Sequence, residues 1–108
     1  MKTADEVKPN FAPFYAAGMY PELAQIFVRQ GYALAVHGSM VRDFDLIAVP
    51  WVESPSEPQA VLDEIESRFT LMRVSEPTTK PHGRMAYTLN VSFGSCALDL
   101  SFMPTIRG

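Results

Sequence analysis

The residues best suited to chemistry lie in His37-Gly38-Ser39-Met40-Val41-Arg42-Asp43-Phe44-Asp45, between two apolar runs. Asp43 and Asp45 are two apart. Side chains two apart on a strand share a face, so both carboxylates point the same way if the chain here is extended. Aspartate forms strands poorly, and two at the head of an otherwise apolar strand require an explanation. One explanation is a divalent cation. Hard ions such as Mg²⁺ take carboxylate oxygens and commonly share their coordination shell with phosphates. The adjoining Gly38-Ser39 turn offers backbone N–H groups to phosphate oxygens, and glycine allows close approach. The same residues also suit an ordinary turn, with Ser39 capping one helical turn and Asp43 opening the next strand. Arg42 is the nearest cation.

These residues need elements to hold them. Pro21 to Gln30 reads as a helix, with Pro21 in its first turn, Gly31 at its end, and Leu23, Ile26 and Phe27 as its apolar stripe. Before it, Phe11 to Met19 reads as an irregular aromatic arm filling core space. Tyr32 to His37 is a first strand and Phe44 to Val49 a second. Their short connection makes them antiparallel neighbours. His37, on a strand, reads as packed and hydrogen-bonded. Ser56 with Gln59 resembles a capping box for a second helix reaching about Phe69, with Val61, Leu62, Ile65 and Phe69 on one side. Leu71 to Val74 reads as a short strand. Ser75 to Pro81 reads as a loop, with Lys80, His82 and Arg84 around its exit.

The last third reads as a hairpin turning at Gly94-Ser95. That register sets Val91 opposite Leu98, Asn90 opposite Asp99 and Thr88 opposite Ser101. One face carries Tyr87, Leu89, Val91, Phe93, Cys96, Leu98, Leu100 and Phe102. The other carries Thr88, Asn90, Ser92, Ala97, Asp99 and Ser101. Alternation of this kind belongs to a sheet with helices on one side and a more open second side. Asp99 is then a third carboxylate if the hairpin lies beside the Asp43/Asp45 strand. A solvated polar face is the other reading of Asp99.

Composition sets the frame. A chain of 108 residues, 47% hydrophobic and 19% charged, fits one globular domain, 1–108, with 1–10 polar and loose. The expected class is α+β, a mixed and largely antiparallel β-sheet with helices packed on one face. The net charge of −3 and the absence of a basic run argue against broad nucleic-acid binding. No stretch is long enough for a membrane helix and no signal-peptide pattern opens the chain, so the cytoplasm is the expected compartment. One cysteine excludes an internal disulfide, and with two histidines it makes no zinc pattern. Trp51 reads as a core residue, or with the aromatic arm as a dimer surface.

Gly38-Ser39, then Asp43-Phe44-Asp45, then Leu98-Asp99-Leu100 resembles the nucleotidyltransferase superfold of the DNA polymerase beta type. More narrowly, ALAVHGSMVRDFDLIAVPW with KPHGRMAYTLNVSFGSCALDLSFMP is similar to a group of small phage-encoded proteins, over most of residues 20–104. The superfold implies that Asp43, Asp45 and Asp99 bind Mg²⁺ (or Mn²⁺) and act as the catalytic carboxylates, Asp99 taking the acceptor proton. It implies that Gly38, Ser39 and Arg42 contact phosphate, with Lys80, His82 and Arg84 as further candidates. The implied activity is transfer of a nucleoside monophosphate from an NTP to a hydroxyl acceptor. The turn between Ser39 and Asp43 is shorter than in most catalytic members, which implies a tighter phosphate pocket. Active relatives carry a further helical domain, whose role would fall to a homodimer or protein partner. The alternatives are a non-catalytic nucleotide- or metal-binding module that retains the fold, and an accessory protein acting through protein contacts.

Overall fold

A computed structural model describes residues 12–38, 43–74, 76–91 and 96–105, and the side chains of all of these except 12–17 and 96. Met1 to Asn10, Phe11, Ser39, Arg42, Phe93 and the Gly94-Ser95 turn lie outside the described residues.

The described elements are α1 (Ala12–Arg29), β1 (Tyr32–His37), β2 (Phe44–Pro50), α2 (Pro58–Arg68), β3 (Leu71–Arg73), β4 (Thr78–Lys80), a 3₁₀ turn (Pro81–Gly83), β5 (Arg84–Val91) and β6 (Cys96–Phe102). The sheet order is β1-β2-β6-β5-β3, with β4 also pairing β5. Every pairing is antiparallel except β2 with β6, which is parallel. The fold is therefore α+β with a mixed, mostly antiparallel sheet, as the alternating pattern implied.

Alternation decides which face is covered. Tyr32, Leu34, Phe44, Leu46, Ala48, Tyr87, Leu89, Val91, Leu98, Leu100 and Phe102 are buried with Leu23, Ile26 and Phe27 of α1 and Val61, Leu62 and Ile65 of α2. Phe102 stacks on Phe27, with ring centroids 5.9 Å apart, and meets Tyr32 and Tyr87 edge-on. Burial of each such side chain stabilises the fold by roughly 1.5–3 kcal/mol. Both helices thus cover one face, and the intervening positions, Asp45, Thr88 and Asp99 among them, line the other.

Four local readings change. α1 begins at Ala12, so Phe14, Tyr15 and Met19 are helical and Pro21 lies inside the helix. An internal proline removes a helix hydrogen bond. Anchors beside it offset that loss: Met19 and Tyr20 pack on the core, and the Tyr20 hydroxyl donates to the Leu34 carbonyl. α2 is capped by Glu57 without a side-chain cap bond, not by a Ser56–Gln59 box. Ser56 is occupied elsewhere: its N–H donates to the Gln30 carbonyl at 2.8 Å and its hydroxyl to Gln30 Oε1. Thr78–Lys80, read as loop, pairs with β5 as a strand. Trp51 is 59% exposed, its indole N–H donating to the Val28 carbonyl at 3.3 Å, so it is no core residue.

Gly31 closes α1 as expected. Its φ is +99°, and a Cβ there would lie 2.8 Å from Val52 Cγ2 and from Pro55 Cα. That tight crossing sends the chain from α1 directly into β1.

Candidate active site

The hairpin register differs from the sequence reading by two residues. Val91 pairs with Cys96, Leu89 with Leu98 and Thr88 with Asp99. The Gly94-Ser95 turn itself lies outside the described residues. A two-residue slip preserves the faces, because the side-chain period is two. The apolar face stays in the core, but the neighbour of Asp99 becomes Thr88 instead of Asn90.

Three pairings then assemble one row across the open face. His37 is the partner of Asp45 on β1/β2, Asp45 of Asp99 on β2/β6, and Asp99 of Thr88 on β6/β5. The parallel β2/β6 pairing seats Asp45 and Asp99 side by side on neighbouring strands, which run about 4.8 Å apart. The Thr88 hydroxyl donates to Asp99 Oδ1 at 3.3 Å. His37 is exposed, not packed.

Asp45 is half-buried and held above the ordinary carboxylate range. Burial is the largest cause. A hydrogen bond with the Asp99 carboxyl and the Asp99 charge follow, His37 opposes, and Asp43 adds a smaller push upward. Two carboxyls in hydrogen-bond reach favour holding one proton between them over two bare charges. Asp43 itself is exposed, at the head of β2.

Gly38 closes the upper end of this row. Its φ is +80°, and a Cβ there would collide with Asp45 Oδ2. Glycine therefore lets the backbone at residue 38, just after β1, lie against the Asp45 carboxyl.

Of the expected site residues, the structure brings together Gly38, Asp45 and Asp99, with Asp43 at the rim. Ser39 and Arg42 lie outside the described residues. Among the described residues, no three His, Cys, Asp or Glu side chains converge to hold a metal ion. Lys80, His82 and Arg84 sit at the β4–β5 hairpin, toward the opposite end of the sheet from Gly38. Thr88 and His37 were not singled out for the site by sequence. The pairing partners of Asp45 and Asp99 would have named both.

The open face of the α+β sheet thus carries two acidic residues, Asp45 and Asp99, on the adjacent strands β2 and β6. The Cid1 poly(U) polymerase, in a structure described with Mg and 3′-dATP bound, has this fold: TM-score 0.59 at 16% identity over 91% of the present chain. The chain spans 33% of that polymerase's length. No protein-family model and no curated protein matches it. Among the described residues, no helix is long and apolar enough to cross a membrane.

Proposed function

We propose that the protein is a minimal nucleotidyltransferase that moves a nucleoside monophosphate from an NTP to a hydroxyl acceptor. The observation that carries this reading is the Asp45–Asp99 pair, two carboxyls side by side with their charge opposed by no lysine or arginine among the described residues. Such a donor set suits a hard divalent cation. Asp45 and Asp99 would hold Mg²⁺ or Mn²⁺, with water and substrate phosphate oxygens taking the other positions of its shell. When bound, the cation would neutralise charge on the phosphates and on the entering and leaving oxygens.

The chain's own groups supply the rest. The acceptor oxygen attacks the α-phosphorus, forming a P–O bond as the bond to the β-phosphate oxygen breaks and pyrophosphate leaves. The acceptor proton passes to a carboxylate oxygen of Asp99, which the Thr88 hydroxyl orients. Backbone N–H groups of the turn at Gly38, Ser39 and beyond would cradle the outer phosphates, with Arg42 as counter-charge.

A thermal shift with each NTP, with and without Mg²⁺ or Mn²⁺, tests the reading. A ligand that binds only the folded state stabilises it by about 2.7 kcal/mol at a hundredfold excess over Kd. The expected result is a cation-dependent shift that Asp45→Asn removes, with label transferred from α-labelled NTP to an acceptor. A cation-dependent shift without transfer would instead leave a nucleotide-binding module. No shift with any NTP would overturn the proposal.

A further inference from the structure

Along β5 the neighbouring strand changes. Arg73 of β3 pairs with Leu89, and Thr78 of β4 pairs with Ala86. Between these pairings the chain leaves the ladder after Val74, whose N–H donates to the Thr88 carbonyl at 3.1 Å, and re-enters it at Thr78. A cavity of about 540 Å³ opens beside this gap, lined by Gln59, Arg73, Val74, Glu76, Pro77 and Tyr87. Gln59 belongs to α2, and Tyr87 turns to the core. The cavity therefore lies on the helix side of the sheet, away from Asp45 and Asp99.

Tyr87 is the unusual member of this lining. It is 5% exposed, with its ring edge-on to Phe102. The Tyr20 hydroxyl donates to the Leu34 carbonyl, and the Tyr32 hydroxyl to the Ser56 carbonyl at 2.7 Å. The Tyr87 hydroxyl has no hydrogen-bond partner among the described residues, although buried tyrosines usually find one. It is not sealed in either: among the described residues, the side-chain polar atom that is both sealed and unpartnered is Arg84 Nε. The Tyr87 oxygen is thus within reach of whatever enters the cavity.

Charge decides what that is. The Arg73 guanidinium is already engaged by Glu66, Asp63 and Gln59. Glu76 in the cavity wall and Glu57 at the start of α2 make no ion pair among the described residues. Burial holds the Tyr87 hydroxyl above its ordinary 10; Arg73 opposes this, and the Glu57 charge adds to it. The hydroxyl is therefore neutral at physiological pH, and Glu57 acts on it. Lys80 and Arg84 are cross-strand partners at positions that share the open face with Thr88, on the other side of the sheet. An entering anion would face Glu57, Asp63, Glu66 and Glu76 with one occupied guanidinium, so a cation is favoured. A metal ion fits poorly, because Glu76 is the one carboxylate in the lining and Val74 and Pro77 are apolar. An ammonium group on an apolar stem suits all of these surfaces, with three N–H donors and no acceptor.

We propose that this cavity binds the ammonium end of an alkylamine, its N–H groups donating to the Tyr87 hydroxyl and to Glu76 while the methylene stem lies on Val74 and Pro77. The site is independent of the nucleotidyltransferase reading and survives its failure.

Calorimetric titration of the full chain with butylamine and with putrescine tests this. Wild type should bind both amines, and bind butanol and butyrate far more weakly. Tyr87→Phe should weaken amine binding roughly tenfold, the loss of one hydrogen bond to a charged group. Its urea midpoint should match wild type, whereas Tyr32→Phe, which loses the bond to Ser56, should lower it. Glu76→Gln, at an exposed position, should also weaken binding and reduce its dependence on salt, and it serves if Tyr87→Phe melts abnormally. A blocked lysine peptide that binds more tightly than butylamine would identify the stem as a protein side chain, and the reverse order as a free amine; both retain the site. Absence of amine binding would overturn the proposal, as would unchanged affinity in both variants or butyrate binding as tightly as butylamine. Binding lost in Asp45→Asn but kept in Tyr87→Phe would also overturn it, by moving the amine to the open-face carboxylates.

Discussion

Two groups of acidic residues lie on opposite sides of the sheet, and their surroundings are reversed. On α2, Glu64 accepts hydrogen bonds from Gln30 at 2.7 Å, Arg68 at 3.1 Å and Arg29 at 3.2 Å. Arg73 donates to Glu66 from its backbone N–H and its Nε, at 2.9 and 2.8 Å, and reaches Asp63 at 2.5 Å and Gln59 at 2.6 Å. Glu64 is held below its ordinary range first by the Gln30 hydrogen bond, and Glu66 first by the Arg73 side chain. On the open face, Asp45 is pushed up instead, by burial and by another carboxyl. The α2 acids tie α1, α2 and β3 together. Among the described residues the open-face acids make no ion pair with a lysine or arginine, the feature on which the proposed cation site rests.

The sharpest break in this comparison is catalytic. Removing a cation ligand forfeits several kcal/mol of charge stabilisation. Asp45→Asn or Asp99→Asn should therefore lower transfer from α-labelled NTP by roughly a thousandfold or more. Asp63→Asn, on the other side of the sheet, should leave it within about twofold. Equal losses from Asp45→Asn and Asp63→Asn would erase the distinction.

Stability should respond the other way round. Arg73→Ala leaves half-buried Glu66 without its guanidinium donors, the backbone N–H of residue 73 alone remaining, at a cost of about 1–3 kcal/mol in urea unfolding. The acid limb carries the same signature. Glu64 and Glu66 have folded-state values below their ordinary 4.5, so their contribution is complete above that pH and is lost as pH falls through the folded values. Arg73→Ala should flatten that loss.

How much of this was legible in the sequence follows from period and locality. The core face of β5 and β6 was readable because alternation survives a two-residue slip, so Leu89, Leu98 and Leu100 are buried as their spacing implied. The register was not readable, because alternation alone is satisfied by any even slip of the two strands. That slip exchanged Asn90 for Thr88 beside Asp99. The convergence of Asp45 and Asp99 was suggested by resemblance and not by local pattern: parallel β2/β6 pairing joins residues remote along the chain. The start of α1 was hidden by Pro21, whose local preference is overruled by packing of Met19 and Tyr20. The exposure of Trp51 was invisible without the tertiary fold.

Gly38 sharpens the contrast from the backbone side. With φ at +80°, alanine would incur about 1–2 kcal/mol for the left-handed conformation, before any collision with Asp45 Oδ2. Gly38→Ala should lower the urea midpoint accordingly and also weaken the cation-dependent NTP shift, because the carboxyl must move to admit the methyl. Loss of stability with the NTP shift intact would mean that the turn does not position Asp45.

The smallest effect is the most discriminating, because its sign depends on the cation. Asp45 has a folded-state value above its ordinary 3.8. Its contribution to stability is therefore complete below that pH and is lost as pH rises through the raised value. At neutral pH without divalent ions, the two carboxyls repel across neighbouring strands, and like charges directly opposite cost about 0.2–1 kcal/mol. Asp45→Asn in EDTA at pH 7 should gain that amount over wild type, and the gain should vanish in acid below pH 3.8. In Mg²⁺ with NTP the order should reverse, because only the wild-type pair can hold the cation. A structural carboxylate of the α2 kind would give the opposite result in EDTA, losing stability when neutralised. Destabilisation by Asp45→Asn at neutral pH without metal would place Asp45 with the α2 acids and leave the open face without a cation site.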